Sequence, residues 1–99
     1  MHINQRSYAG TLESSDLLVE VSPCFSNQVE IDINSSVEKQ FASAIRQVVT
    51  STLDEMGVKS ALVVVNDKGA LDCVIRARVQ AAIMRAASIG DQDIVWGTV

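Results

Sequence analysis

An α+β two-layer sandwich is the fold class predicted for these 99 residues, with a small mixed sheet of three or four strands packed by two helices. Three observations carry it. Val29-Glu30-Ile31-Asp32-Ile33 alternates apolar and polar residues, the period of a strand with one wet face. Ser35-Ser36-Val37-Glu38 opens a helical spacing of apolar residues that runs to Met56. Ala61-Leu62-Val63-Val64-Val65 is apolar without a break, as in an interior strand covered on both faces.

The elements follow in chain order. A short strand near Ser7 to Leu12 leads into the acidic step Gly10-Thr11-Leu12-Glu13-Ser14-Ser15-Asp16, which becomes the tip of a hairpin. Its second arm is Leu17–Val21, with Val19 and Val21 on one side. Pro23 to Asn27 supplies loop residues, so Leu17–Val21 and Val29–Ile33 are expected to form a further hairpin. The first helix takes Ser35 as N-cap, with Glu38 reaching back. Val37, Phe41, Ala44, Ile45, Val48, Thr52 and Met56 follow at helical spacing, and Gly57 makes the stop. That helix joins Val29–Ile33 to Ala61–Val65, which makes the two strands parallel neighbours through a right-handed crossover. A second helix is expected from Asn66 or Asp67 to about Ala87, with Leu71, Val74, Ile75, Val79, Ala82 and Ala86 on one face. Its other face (Cys73, Ala77, Ala81, Met84, Ala87) is small and uncharged, a candidate packing or docking surface. Residues 1–87 read as a single domain. Residues 88–99, with the sole tryptophan Trp96, read as a flexible tail where an aromatic anchor is the alternative.

Composition excludes several classes. Hydrophobic content of 47% with 20% charged residues belongs to a globular chain. No apolar run reaches the length of a membrane span. Met1 to Arg6 lacks the apolar stretch of a signal peptide. Cys24 and Cys73 do not make a disulfide framework, so a cytoplasmic setting is expected. The net charge of −4 is unevenly placed. Glu13, Asp16, Glu20, Glu30 and Asp32 stand against Arg6 alone in residues 1–34, while acids and bases balance beyond them. Such a field repels nucleic acid and suits a basic partner surface.

Autonomous catalysis finds few residues. The one histidine, His2, is at a terminus expected to fray, and no His, Cys and carboxylate stand at metal-ligand or triad spacing. A free-standing enzyme using Cys73 or Ser14 would lack an accompanying base. Cys73 reads as a small buried or interface cysteine, and Cys24 as a loop residue with no assigned job. Exposed serines in a turn are instead good places for another enzyme to attach a group, and the pattern alone leaves Ser14 and Ser15 both open. Asn66-Asp67-Lys68-Gly69 resembles a phosphate-binding turn weakly and a helix cap better. Asp72 and Arg76 have the spacing of a surface pair. The stems of Arg76, Arg78 and Arg85 are expected to cover core surface, and Arg78 falls inside the apolar arc of its helix.

The serine step and the stretch Val65-Asn66-Asp67-Lys68-Gly69-Ala70-Leu71-Asp72-Cys73-Val74-Ile75-Arg76-Ala77-Arg78-Val79-Gln80-Ala81-Ala82 together resemble the acyl carrier subunit (gamma chain) of bacterial citrate lyase. The likeness runs from about Ala9 to Ala87. It implies a non-catalytic carrier in which Ser14, the serine following Gly-Thr-Leu-Glu, bears a phosphoribosyl-dephospho-coenzyme A group through a phosphodiester. Ser15 falls where the family admits glycine. The resemblance also implies partners: an alpha subunit exchanging acetyl for citryl, a beta subunit cleaving the citryl thioester to oxaloacetate, a transferase that installs the cofactor and a ligase that acetylates it. A multi-subunit hetero-oligomer follows. Within that reading Arg78 either closes a buried ion pair with an N-terminal carboxylate or steadies the arm's phosphates, while Glu13 and Asp16 serve docking or the turn. The carrier subunit of malonate decarboxylase, with a similar cofactor, is the alternative. A small interaction domain with a bare Ser14 is the reading from a different class.

Overall fold

A computed structural model describes residues 2–35 and 42–87 of the chain. The elements run β1 (Ser7–Gly10), β2 (Leu17–Ser22), β3 (Val29–Ser35), α1 (Ala42–Glu55), β4 (Ala61–Asp67) and α2 (Asp72–Ala86). The expected α+β class holds, as four strands in the order β1-β2-β4-β3 lie under two helices.

The β1–β2 hairpin forms, pairing Ser7 with Val21 and Gly10 with Leu18. β3 and β4 pair in parallel, Val29 with Ala61 through Ser35 with Asp67. The expected hairpin between β2 and β3 does not form, because β4 lies between them and pairs antiparallel with β2 from Leu17↔Asp67 to Ser22↔Leu62. The physical reason is burial. β4 offers the longest apolar run and occupies the centre, where both of its edges are hydrogen-bonded.

Both faces of β4 were expected to be covered, and among the described residues only one is fully so. Ala61, Val63 and Val65 are buried while Leu62, Val64 and Asn66 are half-buried. Leu17, Val19 and Val21 of β2 share the covered side, packed with Ile45, Val49 and Leu53 of α1 and Ile75, Val79, Ala82, Ile83 and Ala86 of α2. The buried line of α1 is thus Ile45, Val49, Thr52 and Leu53, displaced from the expected Ala44 and Val48; Ala44 is exposed. Thr52 is fully buried at no polar cost because its Oγ1 donates to the Val48 carbonyl at 2.7 Å. Gly57 ends the helix as expected, with φ +72°, its N–H reaching Asp54 O while Val58 N–H reaches Leu53 O. The proposed capping box falls on Ser36, Val37 and Glu38, outside the described residues, as do Phe41 and the tail with Trp96. Ser35 itself closes β3, and its hydroxyl donates to Asp67 Oδ2 at 3.1 Å.

α2 starts later than its sequence pattern implies. Asn66 and Asp67 remain in β4, because both still pair with β2 and β3. Asp67 then accepts the Ala70 N–H at 3.0 Å, and Leu71 is the N-cap. Leu71 is therefore 69% exposed rather than part of the buried face. Arg76 pairs with Glu55 of α1, not with Asp72. From Ile3 onward the N-terminal segment packs against α2, while His2 is exposed. Ile3 is buried, and Asn4 and Gln5 donate their backbone N–H groups to Ala86 O at 2.8 and 3.1 Å. The N-terminal segment thus supplies donors to the carbonyl end of α2, the Gln5 side chain reaching Arg85 O at 2.9 Å as well.

Candidate functional site

The serine step joins β1 to β2 through a six-residue connection, Thr11 to Asp16, whose flanks are tied down and whose crown is free. β1 ends at Gly10, with φ +99°, where a Cβ would lie 1.8 Å from the Leu17 carbonyl oxygen. Only glycine lets the two strands close there. Thr11 N–H then donates to that same Leu17 oxygen at 3.2 Å. The Thr11 hydroxyl accepts the Glu13 N–H at 3.2 Å and donates to Asp16 Oδ2 at 2.7 Å. Asp16 N–H closes the turn onto Glu13 O at 3.1 Å.

Asp16 is the hub. Its Oδ1 accepts the Leu17 N–H at 2.7 Å and Arg78 Nε at 3.1 Å, and its Oδ2 accepts Arg78 Nη2 at 3.1 Å besides the Thr11 hydroxyl. Four donors favour the charged form. The Thr11 hydroxyl, then the Arg78 guanidinium and the Leu17 N–H, hold the carboxyl at about 2, below its ordinary 3.8. Of the alternatives for Arg78, the ion pair with an N-terminal carboxylate is formed. It is half-exposed rather than buried, with the side chains of Arg78 and Asp16 41% and 15% accessible.

The β4–α2 connection braces the other side. Ser15 N–H donates to Lys68 O at 2.8 Å and Lys68 N–H donates to Asp16 O at 2.9 Å. The segment that looked like a phosphate-binding turn thus acts here as a backbone support. Arg85 Nη1 donates to Tyr8 O at 2.6 Å, holding β1 from behind.

The two serines differ under this frame. Both are exposed. Ser15 has φ +66°, a left-handed conformation that glycine adopts without cost, and its amide is committed to Lys68. Among the described residues no group hydrogen-bonds the Ser14 hydroxyl, and no base is set against it. Its oxygen is accessible to an incoming enzyme but is not activated by this chain. The polar groups around it leave room for a phosphoester, since the carboxylate of Asp16 is neutralised by Arg78 and the Glu13 side chain is exposed to solvent.

The remaining candidates do not join the site. Cys73 is exposed on α2, and Cys24 is half-buried in the β2–β3 loop, where its Sγ lies 2.9 Å from Ser26 Oγ. Among the described residues no group of three potential metal ligands occurs, and no helix is long and apolar enough to cross a membrane. Thr11, Gly10 and Lys68 are the parts of the site that sequence reasoning passed over. A Gly-Thr pair five residues before an aspartate was the available signal for the first two.

Comparison with known proteins gives concordant findings. The family model described as malonate decarboxylase delta subunit (MdcD) matches residues 4–86. The citrate lyase acyl carrier protein of Vibrio cholerae serotype O1 is 57% identical over 96 residues, 97% of this chain and 96% of that one. The protein of the same description from Escherichia fergusonii is 48% identical over 99 residues, covering both chains fully. Among solved structures, a chain of a Pseudomonas malonate decarboxylase hetero-tetramer in complex with malonate superposes with a TM-score of 0.66 at 22% identity, covering 88% of this chain and 93% of that one. That likeness concerns the fold.

Proposed function

The chain belongs to the citrate lyase acyl carrier protein family, and from that premise we propose that it is the carrier subunit of citrate lyase, with Ser14 as the attachment point of a phosphoribosyl-dephospho-coenzyme A arm. The role is that of a carrier, not of a catalyst. The observation that carries the reading is the contrast at the hairpin tip. Ser14 Oγ is exposed and unbonded among the described residues, while Thr11, Ser15 and Asp16 on either side are each held by hydrogen bonds.

The division of labour follows. When bound, the arm supplies the thiol on which an acyl group is held, chemistry no side chain here provides. The protein supplies a fixed post. Asp16 and Arg78 pin the C-terminal flank of the tip to α2, Gly10 and Leu17 close its base, and Lys68 holds the Ser15 backbone. Tethering at one exposed point raises the local concentration of acyl groups at the partner active sites. Those partners are the alpha and beta subunits of a cytoplasmic hetero-oligomer, while the cofactor-installing transferase and the acetylating ligase also act on the carrier. Arg78, committed to Asp16 through Nε and Nη2, is a positioning residue in this reading.

The carrier subunit of malonate decarboxylase remains the second reading, favoured by the family model that matches residues 4–86. Intact mass of the chain from its native host tests both. A carrier gains the mass of the nucleotide arm, a bare chain in a working lyase overturns the assignment, and the acyl group borne besides acetyl during turnover (citryl against malonyl) separates the two enzymes.

A further inference from the structure

At the pole of the sheet opposite Ser14 the protein displays a large apolar side chain with no role in its core. β2 leaves the serine step at Leu17 and reaches the far end at Ser22, and the loop that follows carries Phe25, which is 95% exposed. The loop presenting it is built rather than slack. Ser60 Oγ donates to Cys24 O at 2.5 Å, and Asn27 takes a left-handed φ of +58°. Ser26 and Gln28 direct their side chains to Glu30 Oε2 at 3.3 and 3.4 Å. Hollows of about 220 and 480 Å³ flank the ring, and His2, Cys24 and Ser60 line both.

We infer that Phe25 is the anchor by which this subunit docks into an apolar socket of another polypeptide of its complex, a socket rimmed with basic side chains that meet Glu30 and Asp32. Rigid exposed aromatics flanked by depressions are the form that interface hot spots take. Charge decides between occupants. Glu30 and Asp32 are exposed along the edge strand β3 beginning just after the loop. A second copy of the chain would bring Glu30 and Asp32 against their own kind with Lys59, at the larger hollow, as an opposing charge, whereas a basic partner meets both acids and is steered in and held in register. The position also suits a carrier. An anchor at this pole leaves the Ser14 pole free to be visited by several enzymes in turn. In that respect the inference rests on the carrier reading.

The test uses the full-length carrier, expressed with its modifying enzymes, and the remaining purified lyase subunits. Phe25→Ala is expected to weaken assembly by about thirtyfold, the scale of a hot spot, while melting temperature and arm attachment at Ser14 stay as in the wild type. Glu30→Lys with Asp32→Lys is expected to slow association and remove its salt dependence. Assembly of Phe25→Ala within twofold of wild type overturns the anchor. A concentration-dependent homodimer of the wild-type carrier that Phe25→Ala abolishes assigns the patch to a second copy and overturns the proposed partner. If native chain proves bare at Ser14 yet Phe25→Ala still breaks the complex, the carrier reading fails and the anchor stands.

Discussion

Asp16 and Arg78, 62 positions apart in the chain, meet through two parallel hydrogen bonds of 3.1 Å, Nε to Oδ1 and Nη2 to Oδ2. This pair couples the hairpin tip to the middle of α2, so the orientation of Ser14 relative to the domain depends on it. Arg78→Ala removes both bonds and strips the stem from beside Gly10. Given the partial exposure of the arginine, the expected loss is about 1 kcal/mol, or roughly 5 °C in melting temperature. Arg78→Lys restores charge without the fork and recovers less than half of the loss. A melting temperature unchanged in Arg78→Ala would show that the pair contributes nothing to the fold.

The same pair sets an acid response. A carboxyl at about 2 in the folded chain against 3.8 otherwise stabilises the fold above the unfolded value and loses that contribution as pH falls through the folded one. Stability is therefore expected to drop between about pH 4 and pH 2. In Asp16→Asn, urea unfolding measured across the same window should show a lower plateau and a shallower fall. Parallel pH profiles for the two proteins would refute the assignment to Asp16.

These features were unequally legible in the sequence. The alternation in Val29–Ile33 and the apolar run at Ala61–Val65 mark strands through local chemistry, and Gly57 marks a helix end for the same reason. The pairing of β2 with β4 is non-local: Leu17 and Asp67 are brought into register by burial, which turn residues between Leu17 and Val29 do not encode. That is why a hairpin looked favourable where none exists. Asp67 looked like a helix start because aspartate caps helices and ends strands with the same Asx hydrogen bond, here to Ala70. At the site, the exposed serine pair was readable as a turn, but its pattern did not separate Ser14 from Ser15; only the family resemblance pointed to Ser14. The support from Lys68 was not legible, because Lys68 acts through its backbone and no side-chain pattern reports that.

Ser14 and Ser15 are expected to separate cleanly. Ser14→Ala removes an exposed, unbonded hydroxyl and should leave stability within about 0.5 kcal/mol of wild type while abolishing attachment of the arm by the transferase. Ser15→Gly relieves a left-handed φ of +66° and should raise stability or leave it unchanged, with attachment retained. Denaturant midpoints and intact masses of both variants check the pair. Modification that survives Ser14→Ala and disappears in Ser15→Ala would move the attachment point by one residue.

Gly10 is where the hairpin is least tolerant. A methyl group there would stand 1.8 Å from the Leu17 oxygen, 3.0 Å from its carbonyl carbon and 3.3 Å from Arg78 Cδ, at a φ of +99°. The oxygen in its way is the acceptor for Thr11 N–H, so displacing it also costs that bond. Backbone cannot yield as a side-chain end can, and Gly10→Ala is expected to cost about 3 kcal/mol, more than loss of the Arg78 pair. Because the strain falls at the base of the tip, arm attachment should slow as well, measured at a temperature where the variant is still folded. A midpoint within error of wild type would mean that β1 and β2 do not close through Gly10 and Leu17, and the fixed post on which Ser14 stands would lose its foundation.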